Sequence, residues 1–171
     1  MMDGEIILLP LERRHLEFLR GLRNDLRMSQ YVFSPSIPLT VLQQELWFKR
    51  YLCDPSSLIF IAHVQTLCWV GYGQLKHIDR LHRSAELGSH IDPEWQDEGW
   101  GTKLVLSLLE VALMKLGMHR VWLEVFADNA RAIHVYEKCG FMREGIQRDK
   151  ILKDGRFEDV VVMSIINEIC P

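Results

Sequence analysis

The chain has 171 residues, of which 48% are hydrophobic and 25% are charged, a composition typical of one globular domain built around a single core. Its 20 basic and 23 acidic side chains give a formal net charge of −3, so no broad positive field is expected to attract nucleic acid or an anionic membrane. The charge balance favours chemistry on a small molecule or a peptide.

The first half of the chain predicts one strand, two helices and a three-strand meander. Residues 5–9 (EIILL) are typical of a strand, and leucines at helical spacing follow between residues 10 and 29. Two prolines make residues 31–39 a loop, and Thr40 is the candidate N-cap of the second helix, with Glu45 too far along to complete a capping box. Three antiparallel strands are predicted at residues 57–64, 68–78 and 82–92.

The second half predicts a helix, a strand, a shorter helix and a closing hairpin. The apolar helix at 102–117 ends at Gly117, and the helix at 128–140 stops at Gly140. Between them, residues 119–127 are typical of a central strand, and an Asp-Gly turn at 154–155 joins the last two strands. The order β-α-α-β-β-β-α-β-α-β-β predicts an α/β (α+β) domain over residues 1–171. Its mixed, mostly antiparallel sheet would have about seven strands, with helices on both faces.

A glycine-containing corner lies between a predicted strand and the long apolar helix, in the sequence HIDPEWQDEGWGTKL (90–104). Such a corner gathers backbone N–H groups at the positive end of a helix dipole, where they suit an anion. Gly99 and Gly101 would let a phosphate approach the backbone closely. The P-loop pattern is absent, and a dinucleotide fingerprint would need glycine where Leu104 stands. The corner predicts a phosphate site, and a turn without a ligand is the alternative.

Two motifs together resemble the GCN5-related N-acetyltransferase (GNAT) superfamily. QDEGWG (96–101) is similar to its acyl-CoA signature Q/R-x-x-G-x-G/A, and LEVFADNARAIHVYEKCGFMREG (123–145) is similar to its second signature. LRND in the first helix and the ending DGRFEDVVVMS resemble the branch with ribosomal-protein N-terminal, spermidine and amino-sugar-nucleotide acetyltransferases. The resemblance implies direct acetyl transfer from acetyl-CoA to a primary amine, without a metal. A non-catalytic acyl-CoA-binding sensor of the same fold is the alternative.

The resemblance also implies which residues hold acetyl-CoA. Asn129 would contact the pantetheine arm, although it could equally be a helix N-cap. Trp100 would either cover the cofactor or shield the turn. The full set expected to contact acetyl-CoA is Ser89, His90, Ile91, Gln96, Asp97, Glu98, Gly99, Trp100, Gly101, Thr102, Asn129, Ala132 and Tyr136.

Acetyl transfer needs a base for the amine, a donor for the oxyanion and an acid for the leaving thiolate. By resemblance Tyr136 is the acid, with a core tyrosine as the alternative. Backbone N–H groups near 89–91 are the expected oxyanion donors.

Two carboxylates are candidate bases. Glu124 lies in an otherwise apolar strand, where an unpaired carboxylate is costly, and Glu86 lies on the third meander strand. His90 is a third candidate, more typical of a half-exposed strand residue. Either carboxylate could instead pair with Arg83 or Arg120, and a chain of water molecules could replace both.

The acceptor is expected between the 31–38 loop, the start of the second helix and the final hairpin. Tyr31, Phe33 and Trp47 offer aromatic surface there, unless they belong to the core. The loop contains no acidic residue, which disfavours a polyamine. A ribosomal-protein N-terminus, an amino-sugar nucleotide and an amino acid stay open as acceptors. The protein is expected to be a monomer or a homodimer.

The remaining sequence features argue against secretion, membrane insertion and metal binding. The start MMDGEIILLP has no basic region and only a short apolar run, so a cytoplasmic location is expected. The seven histidines have no ligand-like spacing. Four widely spaced cysteines suit reduced thiols better than a disulfide framework: Cys53, Cys68, Cys139 and Cys170.

Overall fold

The computed structural model describes residues 4–34, 36–66 and 68–168. Within these ranges seven strands form one sheet in the order β1-β2-β3-β4-β5-β7-β6. Among the described strands only β4 and β5 pair in parallel, and the other neighbours are antiparallel. The strands are β1 (Ile7–Pro10), β2 (Leu58–Val64), β3 (Cys68–Asp79), β4 (Ser84–Ile91), β5 (Arg120–Phe126), β6 (Met142–Lys153) and β7 (Arg156–Ile166).

In the described part of the chain, five α-helices connect these strands. A 3₁₀ turn at Arg13–His15 leads into the first, and the fourth continues as a π-helix over Glu110–Lys115. No helix of the described residues is long and apolar enough to cross a membrane. The α-helices are α1 (Leu16–Asn24), α2 (Leu26–Ser29), α3 (Val41–Leu52), α4 (Trp100–Leu109) and α5 (Ala130–Lys138).

The predicted fold class is confirmed, and two local details of the helices differ from the sequence prediction. The first helix breaks at Asp25, whose side chain accepts a hydrogen bond from Arg27 N and starts the separate α2. Thr40 does begin α3, but its capping box is completed by Gln43 rather than being absent, because Gln43 and not Glu45 is the third residue of the helix. Both predicted helix-ending glycines have positive φ, at 117 and 140.

The sheet has a hydrophobic core on each face, as the element order predicted. The larger core joins α4 and α5 to the sheet around Leu104, Leu108 and Val121. The smaller one joins α1 and α3 to β2 around Leu19, Phe48 and Ile61. Cys139 is buried, Cys53 and Cys68 are exposed with free thiols, and Cys170 lies outside the described residues.

The parallel strands β4 and β5 separate before β4 ends. Their pairing covers only Ser84 to Glu86 on β4, opposite Arg120 to Trp122 on β5. Beyond that point β4 still pairs with β3 as far as Ile91, while β5 continues beside β7. The separation opens a cleft in the middle of the sheet, between the last half of β4 and the last half of β5.

Candidate active site

A cavity of about 370 Å³ occupies this cleft. Its walls are the end of β4, the starts of α4 and α5, and the segment after α2. It brings together most of the residues expected at the active site. Those that line it are Tyr31, Phe33, Glu86, Ser89, His90, Ile91, Gln96, Asp97, Gly99, Gly101, Thr102, Glu124, Asn129, Ala132 and Tyr136.

The glycine corner forms the N-terminus of α4 at this cavity. Gly99 is the N-cap with φ of 90°, a conformation that favours glycine, and no side chain caps the helix. A Cβ at Gly101 would lie no closer than 3.9 Å to Ile91 and Val135, so the protein has room there. Gln96 Nε2 donates to the Ile91 carbonyl at 3.0 Å and ties the corner to β4. The uncapped amides and the open approach fit a phosphate group.

Two acidic side chains at the corner contact other side chains. Asp97 is highly exposed, with one oxygen 3.7 Å from Arg131 Nη1. Glu98 accepts a hydrogen bond from Trp100 Nε1 at 3.1 Å. The indole of Trp100 is only 1% exposed and packs in the larger core. Neither Glu98 nor Trp100 is among the described residues that line the cavity, and the buried indole fits the shielding role better than the role of covering the cofactor.

Asn129 is the N-cap of α5. Its Oδ1 accepts a hydrogen bond from Ala132 N at 3.1 Å, so the capping role weighed in the sequence is present. Only the side-chain oxygen is used in this bond. The amide Nδ2 group can donate two hydrogen bonds and has no acceptor among the described residues, and Asn129 lines the cavity.

Tyr136 presents its hydroxyl to the separated part of β4. The hydroxyl lies 3.3 Å from Ser89 Oγ, and the ring packs edge-on against Phe141 with centroids 5.8 Å apart. The side chain is buried, at 8% exposure. Burial raises the pKa of Tyr136 above its ordinary value, and the contact with Ser89 only partly opposes this. The phenol is therefore protonated at neutral pH and can donate a proton.

The two candidate bases are both ion-paired. Glu86 lies between Lys76 Nζ at 2.6 Å and His77 Nδ1 at 2.7 Å. Glu124 accepts a hydrogen bond from Lys150 Nζ through Oε1. Glu124 is therefore not an unpaired carboxylate: β6 brings Lys150 across β7 to it, a partner that was not among the arginines weighed.

The arginines weighed as partners are engaged elsewhere. Arg120 forms a two-point ion pair with Glu144 at 2.5 and 2.6 Å, and Arg83 Nε donates to the Gly117 carbonyl.

His90 is half-buried, as expected, and stacks on Tyr72 with ring centroids 4.6 Å apart. Burial, with the positive charges of Lys76 and Arg23, lowers the pKa of His90 to about 4. Burial also raises the pKa of Tyr72 to about 12. Both side chains are therefore neutral at pH 7.

A second cavity of about 410 Å³ adjoins the first. Trp47, expected beside Tyr31 and Phe33, lines this second cavity, whereas the other two line the first. Arg23 and Tyr72 also line it. The two cavities share Met28, Val32, Ser34, Gln74 and His90.

Lys153 holds the 29–34 loop, which lines both cavities. Its Nζ donates to the carbonyl groups of Ser29 at 2.7 Å, Val32 at 2.9 Å and Ser34 at 2.8 Å. The lysine is only 8% exposed, so all three ammonium protons are used inside the protein. The final hairpin thus fixes the 29–34 loop from the opposite end of the chain.

Sequence reasoning missed several residues at the two cavities. Tyr72, Gln74 and Lys76 alternate along β3 and so share one face, a period-2 signal that was available. Arg23 was read only as part of the LRND resemblance. Lys153 carries no local signal, because it precedes an ordinary hairpin turn.

Comparisons with known proteins agree with this fold and cavity. The family model described as the acetyltransferase (GNAT) family matches residues 20–141. The chain belongs to the GNAT acetyltransferase family. It is similar to a spermidine N(1)-acetyltransferase of Vibrio cholerae, at 30% identity over 96% of this chain and 95% of that protein. An L-amino acid N-acetyltransferase of Escherichia coli K12 is 27% identical over 94% of this chain and 98% of that protein.

The same relationship holds in three dimensions. A crystal structure of the Vibrio cholerae spermidine N-acetyltransferase in complex with CoA and spermine superimposes with a TM-score of 0.90 at 30% identity, covering 95% of each chain. The GNAT enzyme described here is therefore an N-acetyltransferase that transfers acetyl to an amine.

Proposed function

We propose that this GNAT enzyme binds acetyl-CoA in the first cavity and transfers the acetyl group directly to the primary amine of a small molecule held in the second. The observation that carries the proposal is the position of the Tyr136 hydroxyl. It lies beside Ser89 on the separated part of β4, in the same cavity as the uncapped start of α4. A proton donor and a phosphate-binding corner are therefore joined by one cleft.

Acetyl-CoA supplies an activated thioester and a thiolate leaving group. Its pyrophosphate would accept hydrogen bonds from the amides at the start of α4, where Gly101 leaves the approach open. The Asn129 amide can donate to a carbonyl of the pantetheine arm while its oxygen still caps α5. These contacts hold the donor by its arm and leave the acetyl end near Ser89.

Transfer forms a C–N bond and breaks the C–S bond. Backbone N–H groups of 89–91, where β4 has left β5, would donate to the carbonyl oxygen as it gains negative charge. Tyr136 gives its phenolic proton to the departing sulfur, and solvent returns a proton to the phenolate. The attacking amine loses its own proton to a base.

Glu124 is the better placed of the two candidate bases. Both oxygens of Glu86 are engaged, one by Lys76 and one by His77. Glu124 uses Oε1 for Lys150, and its Oε2 has no hydrogen-bond partner among the described residues. An oxygen without a partner can accept a proton from the amine, directly or through water.

The test is a screen for thiol release from acetyl-CoA with primary amines, including spermidine and L-amino acids, followed by mass spectrometry of the product. Gly101→Val should abolish acetyl-CoA binding, because the added side chain blocks the phosphate although the protein itself has room for a Cβ. Gly145→Val is the matched control, since a Cβ at that exposed glycine meets no atom within 4 Å.

Binding of acetyl-CoA without acetylation of any amine would contradict the proposal and favour the sensor. Normal acetyl-CoA binding by folded Gly101→Val would contradict the assignment of the corner.

A further inference from the structure

The second cavity is lined by a positive charge and by no negative one among the described residues. Among the described residues that line this cavity, Arg23 is the one side chain that is charged at pH 7, because His90 is neutral there. No carboxylate lines it within the described part of the chain. The other polar groups are neutral: Ser29, Ser34, Gln43, Tyr72 and Gln74.

Arg23 has no carboxylate partner among the described residues. Its Nη1 donates to Gln44 Oε1 at 3.2 Å, and its guanidinium lies over the Trp47 ring, 5.1 Å from the centroid. Gln44 is itself buried. These contacts orient the guanidinium but do not neutralise it, and burial lowers the pKa of Arg23. A partly buried guanidinium without a counter-ion gains most from an incoming anion.

The carboxylates of the first cavity offer little to a polycation. Glu86 is engaged by Lys76 and His77, and Glu124 by Lys150. Asp97 is exposed at the donor corner, with Arg131 nearby. A polyamine needs carboxylates for the ammonium groups that do not react. In this protein the carboxylates of the first cavity are paired with other side chains or lie at the corner assigned to acetyl-CoA.

We propose that the acceptor is a small amine that also carries an anionic group, a carboxylate or a phosphate, and that Arg23 binds this group. The inference rests on the proposed function and gives it a substrate class. A cavity of about 410 Å³ suits an amino acid or a phosphorylated amino sugar in size. The planar guanidinium can hold either anion through two parallel hydrogen bonds.

The same positive charge helps the chemistry at the other end of the acceptor. His90 lines both cavities, and its pKa is lowered first by burial and then by the positive charges of Lys76 and Arg23. A bound ammonium in this position experiences the same repulsion and loses its proton more readily. The anionic group secures the substrate while the local charge favours the free amine that attacks the thioester.

The experiment compares two pairs of probe amines by thiol release, at equal concentrations of free base: L-alanine with L-alaninamide, and glucosamine 6-phosphate with glucosamine. Spermidine is the fifth probe, a polycationic amine without an anionic group. In at least one pair we expect kcat/KM to be about 10- to 100-fold higher for the anionic member. The pair that responds identifies carboxylate or phosphate as the group bound.

Arg23→Gln should reduce this ratio to near one. Arg20→Gln should leave it unchanged, because Arg20 lies on the same helix but pairs with the exposed Glu17 outside both cavities.

Equal kcat/KM values within both pairs, or an anion preference that survives in Arg23→Gln, would overturn the inference while leaving acetyl transfer intact. Absence of thiol release with every amine, spermidine included, would instead contradict the proposed function. In that case the pairs are compared by the increase in Tm of the wild-type and Arg23→Gln proteins. An increase specific to the anionic probes and dependent on Arg23 supports the anion site, and its absence overturns it.

Discussion

Replacing Tyr136 by phenylalanine removes one hydroxyl and leaves the ring, so it separates proton donation from packing. Among the described residues, the hydroxyl contacts only Ser89 Oγ, at 3.3 Å, which is long for an O–H···O hydrogen bond. Its loss should lower the free energy of unfolding by less than about 1 kcal/mol. The edge-on packing of the ring on Phe141 is retained.

The effect on turnover should be far larger than the effect on stability. A positioned proton donor contributes about 10²- to 10⁴-fold in rate, or about 3–5 kcal/mol in the activation free energy. The loss should appear in kcat and not in KM for acetyl-CoA, because the proton is needed only when the thiolate leaves. An acetyl donor with a more acidic thiol should lose less rate, since its thiolate needs less help.

The assay is steady-state thiol release, with thermal unfolding measured on the same preparations. Tyr51→Phe is the matched control, because the Tyr51 hydroxyl accepts a hydrogen bond from Ile59 N at 3.2 Å and lines neither cavity. It should reduce stability slightly and leave kcat unchanged. Near-normal kcat in Tyr136→Phe would refute the general-acid assignment and leave water as the proton source.

Three further predictions follow from other contacts. The pKa of His90 is lowered to about 4 in the folded protein, so the unfolded chain binds more protons below about pH 6.5. The free energy of unfolding should therefore fall by up to about 3 kcal/mol between pH 6.5 and 4. In urea titrations at several pH values, His90→Gln should make the free energy of unfolding less dependent on pH in this range. Lys153→Met leaves three carbonyl groups without their donor, and should raise KM for the amine several-fold, with a smaller rise in KM for acetyl-CoA because residues 31–34 also line the first cavity. Glu124→Gln should reduce turnover most at low pH, and turnover should recover partly at higher pH as the amine deprotonates by itself. Glu86→Gln should have a smaller effect. If the ratio of mutant to wild-type kcat does not change with pH, Glu124 has a structural role.

The parts of the site that could be predicted are those whose residues lie within one short stretch of sequence. The corner around Gly99 and Gly101 and the helix between Asn129 and Tyr136 are local, so glycine conformation and helical spacing indicate the elements, and the resemblance to the two GNAT signatures indicates the roles of their residues. The capping box was also local, and Gln43 was overlooked beside Thr40.

The remaining features depend on which distant segments meet. Lys150 reaches Glu124 across an intervening strand, and nothing near either residue indicates this. The early end of the β4–β5 pairing depends on the paths of three strands. Arg23 needed knowledge of the cavity wall, because a basic residue on an amphipathic helix is ordinarily a solvent-exposed one.

The contact between Lys153 and the 29–34 loop also has a consequence for how the enzyme is made. The bonded residues are 119 to 124 positions apart in the chain. Synthesis proceeds from the N-terminus, so the loop leaves the ribosome long before the lysine that orders it. Such distant contacts form late because a large loop must close first. We expect the acceptor side of the enzyme to mature last, once the final hairpin has been synthesised.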